Sequence, residues 1–280
     1  MTSPQTATDD SPVPDFTALL RLDGKVFIVL GAGQGIGRQT AHALAQAGAT
    51  VVCVGRRAAP TQAVADEIGG IALTGDAMVR ADMQRIADQA LQRFGHIDGL
   101  VDTLGMPRIK PLAEFDDADW QWQFDTSLKH VFLSTQIVAP LIGQSGGGAM
   151  VFVSSTAGVA VTSNRAAYGA SKAALQQFVK AAAFEYGNVG VRINAVAPGL
   201  VSTPRVRGNL SEAMMRAAGT RYPLGQIGTP AQIASVILFL AGGLSAHVNG
   251  QTVYAEGGMA ARSAIYDLSS AEPPEPPAAA

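Results

Sequence analysis

The sequence predicts an α/β fold: a doubly wound parallel β-sheet flanked by helices, in a single domain. Short β-branched runs alternate with longer Ala-rich stretches of helical period, the pattern of repeated βαβ units. The first run, Lys25–Leu30, is apolar after its opening lysine, as suits a strand buried on both faces. No linker-like segment and no internal repeat interrupts the alternation, which favours one doubly wound domain over two.

After the first strand, Gly35–Ala47 reads as a helix stopped by Gly48, and Thr50–Val54 as the second strand. Thr61–Ile68 is a helix, Ile71–Thr74 the third strand, Met78–Phe94 a long amphipathic helix and Gly99–Thr103 the fourth strand. A helix across Trp120–Ile142 leads through the glycines at 146–148 into the fifth strand, Met150–Val153. Ala166–Tyr186 is helical and Arg192–Val196 is the sixth strand. Thr229-Pro230 opens a helix with an N-cap and a proline at its first position, and Thr252–Ala255 is the last strand. Residues 1–20, with Pro4, Pro12 and Pro14, and residues 263–280, rich in Pro and Ala, read as flexible tails around a domain at 21–262.

Composition narrows the function. Hydrophobic residues make up 48% and charged residues 15%, enough for a large core and incompatible with disorder. Twenty Lys+Arg against 22 Asp+Glu leave a net charge of −2, with no basic excess for nucleic acid or an anionic membrane. The one cysteine, Cys53, excludes an intrachain disulfide framework and a thiolate metal site, and suits a reducing compartment. The four histidines lack ligand spacing, so no metal site is expected. The apolar run Val236–Ala241 falls far short of the ~20 residues of a membrane span, and residues 1–10 lack the pattern of a signal peptide. These features predict a cytoplasmic protein.

Between the first strand and its helix stands Gly31-Ala32-Gly33-Gln34-Gly35-Ile36-Gly37. Glycines here let backbone amides approach a pyrophosphate, and the helix start offers free N–H groups and a positive dipole end. The same glycines also suit a plain tight turn. The second strand ends in Val54-Gly55-Arg56-Arg57, without the acidic side chain that would accept from a ribose 2′-hydroxyl. Gly55 leaves room for a 2′-phosphate and Arg56 offers a planar fork to it, which favours NADP(H) over NAD(H). A solvated arginine pair is the other reading. Asp76, just past the third strand, reads either as an adenine ligand or as a capping aspartate.

Tyr168-Gly-Ala-Ser-Lys172 puts a phenol and an ammonium one helical turn apart. A cation that close is expected to lower the phenol into the range where it exchanges protons with an alcohol or ketone oxygen. Ser154-Ser155 follows the fifth strand at the carboxyl edge of the sheet, where α/β folds bind ligands.

Taken in order, these residues resemble the short-chain dehydrogenase/reductases. The resemblance spans Leu22 to Met259 and rests on Gly31, Gly35 and Gly37; Asp76; Phe94-Gly-His-Ile-Asp98; Ser155 thirteen residues before Tyr168; Lys172; Arg192-Ile-Asn-Ala-Val-Ala-Pro-Gly199; Thr203; and Gly250-Gln251 with Gly257-Gly258. It implies a Rossmann-type domain that binds NAD(P)(H), commonly as a homotetramer, and transfers a hydride between the nicotinamide and a secondary alcohol or ketone. Tyr168 is then the general acid/base, Lys172 the residue that lowers its pKa and holds the nicotinamide ribose, and Ser155 the group that positions the substrate oxygen. Gln34 and Ile36 of the glycine loop, Ala77 beside Asp76, and Gly105 line the cofactor. Pro198 and Gly199 lie beside the nicotinamide, with the Val201 backbone and the Thr203 hydroxyl on its carboxamide.

Three departures stand out. Leu30 replaces a usual threonine, and Asp102-Thr103-Leu104-Gly105 replaces Asn-Asn-Ala-Gly. Ser127 stands where the family carries an asparagine associated with a water relay to the lysine. Altered proton transfer is expected there, since a backbone carbonyl can hold the same water. These changes motivate an alternative, a catalytically silent, dinucleotide-binding regulatory protein, and a third reading has the nicotinamide regenerated within an epimerisation or elimination. A lid is expected around 204–222, with Met214, Met215 and Tyr222 either touching substrate or packing the lid onto the body. Arg205 and Arg207 read as anion contacts or as solvated side chains.

Overall fold

The computed structural model describes residues 11–261. Seven strands form one parallel sheet in the order β3-β2-β1-β4-β5-β6-β7. They are β1 (Val26–Leu30), β2 (Thr50–Gly55), β3 (Ile71–Thr74), β4 (Gly99–Asp102), β5 (Gly148–Val153), β6 (Val191–Pro198) and β7 (Thr252–Ala255). Every residue of β1 and β4 is buried, as their central places between helical layers require. The order reverses between β1 and β4, and the carboxyl ends of these strands open a crevice there.

One face of the sheet is covered by α1 (Gly35–Gln46), α2 (Ala58–Ile68) and, after the chain crosses back, the late helix Pro230–Ala241. Cys53 lies in this core, where burial raises its thiol to about 12. The other face carries α3 (Arg80–Phe94), a helix pair over 117–144, and the long helix Ala166–Tyr186. That pair corrects the single helix expected across Trp120–Ile142. It comprises α4 (Asp117–Phe124), capped by Asp116 accepting from Asp119 N, and α5 (His130–Gln144), joined by a π-helical turn at Asp125–Lys129. Side chains disturb the backbone ladder at this joint: the Thr126 hydroxyl donates to Trp122 O at 2.8 Å, and His130 Nε2 lies 3.2 Å from Thr126 O.

The helix Ala166–Tyr186 is α6, followed by two short helices, α7 (Pro204–Asn209) and α8 (Glu212–Gly219), where the sequence places a lid, and then by Pro230–Ala241 as α9. A capping box starts α9: the Thr229 hydroxyl accepts from Gln232 N, and the Gln232 side chain accepts from Thr229 N. Of the tails expected from sequence, residues 1–10 and 263–280 lie outside the described residues. Ala18–Leu20 forms a 3₁₀ turn, so this part of the expected tail is structured, with Leu19 against Gly242 and Gly243. Among the described residues no helix is long and apolar enough to cross a membrane.

Candidate active site

The glycine loop leaves β1 and is drawn to β2, with Gly31 N and Ala32 N both donating to Val54 O. Gly35 enters α1 at φ +58°, where a side chain is strained. A Cβ at Gly37 would lie 2.1 Å from Gly31 O, so only glycine lets the helix start close on the turn. Gln34, the N-cap, makes no side-chain bond to the first turn; its Oε1 accepts from Arg57 Nη2 at 3.1 Å. The opening amides of α1 therefore lack a capping side chain, and no acidic residue sits in the turn, so these residues fit a dinucleotide phosphate.

At the end of β2, Arg56 is exposed and its guanidinium lies 3.7 Å from Asp76 Oδ2. Asp76 also accepts from Met78 N at 2.9 Å through Oδ1, which fulfils the capping reading, and Ala77 is buried beneath it. Across the crevice, β6 delivers Pro198 and Gly199. Val201 is buried and bridged to Gly228. The Thr203 hydroxyl caps α7 by accepting from Val206 N at 3.3 Å, while its methyl end stands opposite Gly35.

The reacting groups converge from β5 and α6. Ser155 follows β5, and its hydroxyl accepts from Ala157 N at 3.1 Å. Gln176, one turn beyond Lys172, fixes this segment by donating to Ser154 Oγ at 3.1 Å and Ser155 O at 3.0 Å, and it accepts from the Tyr254 hydroxyl. Lys172 is almost fully buried, and its Nζ donates to Val153 O at 2.8 Å. A Cβ at Gly105 would lie 2.8 Å from that Nζ, so the absence of a side chain there keeps the ammonium open toward the crevice.

Burial pushes the Tyr168 phenol up, and the opposing influences are a hydrogen bond with Ser155 and the charge of Arg165. Lys172 Nζ stands 6.0 Å from the Tyr168 ring centre and donates to Val153 O. Burial pushes Lys172 itself down to about 8, against the attraction of Asp102. Arg165, three residues before Tyr168 at the start of α6, is the cation that sequence reasoning missed; the i, i+3 spacing was the available signal.

Ser127 lies fully buried in the π turn, and its hydroxyl accepts from Gln123 Nε2 at 2.7 Å. Gln123 also joins Met106 O and Arg108 N, so it organises the loop after β4. That loop is strapped to the segment between Ser155 and Tyr168 by Lys110 N donating to Asn164 O at 3.0 Å. Tyr222 is buried with its hydroxyl accepting from Leu200 N at 2.8 Å, so it packs the segment after α8 onto the body, while Met214 is exposed. Arg207 donates to Ser202 O at 2.7 Å. No group of three or more His, Cys, Asp or Glu among the described residues is placed to hold a metal ion.

Known proteins are similar to this chain over most of its length. The family model described as Enoyl-(Acyl carrier protein) reductase matches residues 31–260. A 3-oxoacyl-(acyl carrier protein) reductase of Thermotoga maritima is 35% identical, over 86% of this chain and 99% of its own length. The D-threitol dehydrogenase of Mycolicibacterium smegmatis is 34% identical, over 85% of this chain and 94% of its own. A solved structure of a 7α-hydroxysteroid dehydrogenase complexed with NADH and 7-oxo glycochenodeoxycholic acid superposes with a TM-score of 0.82 at 32% identity, covering 86% of this chain and 96% of that one. None of these supports the regulatory alternative.

Proposed function

This chain belongs to the short-chain dehydrogenase/reductase family, as an NAD(P)-dependent oxidoreductase acting on CH–OH and C=O groups, and within that chemistry we propose that Tyr168 is its general acid/base. The bound nicotinamide supplies or accepts the hydride at the substrate carbon. Tyr168 passes the proton to or from the substrate oxygen, and Ser155 donates a second hydrogen bond that stabilises negative charge developing there. Lys172 holds the nicotinamide ribose from the side that Gly105 leaves open. The observation that carries this reading is the meeting of Ser155 and Tyr168, brought from two elements, beside the buried Lys172.

NADP(H) is the proposed cofactor, because the exposed guanidinium of Arg56, held only by a long 3.7 Å contact with Asp76, stands at the end of β2 and no acidic side chain occupies Gly55. Gln34, Gly35 and Ile36 receive the phosphates, and Asp76 and Ala77 border the adenine. The substrate is a secondary alcohol or its ketone. A homo-oligomer, tetramer or dimer, is supported by the exposed Phe184 and Val189 on the α6 side, and a cytoplasmic setting by the single unpaired cysteine.

Tyr168→Phe tests the assignment. NADPH binding, followed by fluorescence, stays near the parent value, and turnover over a panel of cyclic and acyclic ketones falls by roughly 10²–10⁴. Turnover close to the parent's would overturn it.

A further inference from the structure

Building on the placement of Lys172 at the proton-transfer group, we infer that Asp102 and His130 form a buried positioning pair that sets the charge of Lys172. Asp102 ends β4, and His130 opens α5 immediately after the π turn. Their side chains meet at 2.6 Å, Nδ1 to Oδ2, and each is only 1% exposed. The second carboxylate oxygen accepts from Leu104 N at 2.9 Å, so the carboxylate is held at both ends. The other ring nitrogen of His130 faces Thr126 O at 3.2 Å. With Asp102 ionised, both neighbours of the ring are acceptors, a carboxylate and a carbonyl, and the ring meets the two together with an N–H on each nitrogen, as an imidazolium.

A buried acid–base pair packs no better than an apolar pair of the same shape, so packing alone does not account for it. Its position does. Asp102 lies opposite Phe152 in the β4–β5 ladder, next to the Val153 whose carbonyl holds Lys172 Nζ, and the loop it opens brings Gly105 against the same Nζ, so its carboxylate attracts the buried ammonium while His130 holds that carboxylate. The polar group at 127 is committed elsewhere, to Gln123.

The other charged groups around the lysine have partners of their own or point elsewhere. At the start of α6, the charge of the N-cap residue Arg165 acts on Tyr168. On the loop after β4, Arg108 and Lys110 are both paired with Asp119. In the π turn, Asp125 accepts from Gln121 and Lys129 is exposed. Neither Val153–Ser155 nor Pro198-Gly199 carries a charge.

The two partners therefore act on Lys172 in opposite senses. Removing the anion with Asp102→Asn makes the ammonium easier to deprotonate. Removing the imidazolium with His130→Gln leaves Asp102 unbalanced and makes the ammonium harder to deprotonate. The chain has five lysines, so [¹³C]lysine labelling of the full chain without cofactor resolves the Lys172 Cε signal, assigned by its loss in Lys172→Met.

Its titration midpoint is expected to move down by about one pH unit in Asp102→Asn and up in His130→Gln. A loosened fold would move both the same way. Midpoints that stay put, or move together, overturn the pairing; should Asp102→Asn fail to fold, the upward shift in His130→Gln decides alone. The parent placement fails separately, if Lys172→Met keeps full turnover.

Discussion

Lys172→Met is expected to lose turnover and yet to change stability in a way that depends steeply on pH. An ammonium with an ordinary value of 10.5 and a folded-state value of about 8 is disfavoured in the fold by about 3 kcal/mol, at 1.36 kcal/mol per tenfold. That penalty is present in full below pH 8, where folded and unfolded chains both hold the proton. It fades between pH 8 and 10.5, because the folded chain has shed the proton and the unfolded chain still carries it. Methionine fills similar volume without a proton, so the variant escapes the penalty at every pH. It also leaves Val153 O without its donor, an offset of about 1–3 kcal/mol that does not vary with pH. Urea unfolding of the cofactor-free parent and variant from pH 6.5 to 10.5 reads the difference. The advantage of the variant should shrink by about 3 kcal/mol across the upper part of that range. Parallel stability curves would refute the burial argument for Lys172.

Arg165→Met should raise the midpoint of the Tyr168 ionisation in the pH profile of kcat/KM, because it removes the cation that opposes burial of the phenol; an unmoved profile would detach Arg165 from the site. Arg56→Ala should weaken NADPH more than NADH in fluorescence titrations, and equal loss of both would leave Arg56 without a role in cofactor choice. Gly37→Ala should weaken both cofactors together and destabilise the chain by about 1–3 kcal/mol, read by binding and by thermal unfolding, since the new methyl meets Gly31 O.

The strands were legible because burial on both faces leaves an apolar run with no alternation to mislead, as in Val26–Leu30. The break at 125–129 was not legible, because it arises where Thr126 and His130 compete for backbone carbonyls, and periodicity carries no trace of that contest. The four-residue spacing of Tyr168 and Lys172 correctly put both on one helix face. It could not say that Lys172 Nζ would turn to Val153 O, a carbonyl nineteen residues earlier, in preference to the phenol. Asp102 was visible as an oddity at the end of β4, and its partner was hidden twenty-eight residues downstream, across a turn whose geometry no local signal encodes. Ser127 drew attention as a departure, whereas the structure commits its hydroxyl to Gln123.

The hydrogen bond from Lys110 N to Asn164 O couples the loop after β4 to the segment between Ser155 and Tyr168, two rims of the proposed site. Grafting one rim from a relative would leave the strap mismatched and displace the other, so exchange of substrate range in this scaffold requires both segments to be transplanted as a matched set. Random mutagenesis confined to either rim would, for the same reason, recover variants whose altered selectivity maps to residues that never touch the ligand.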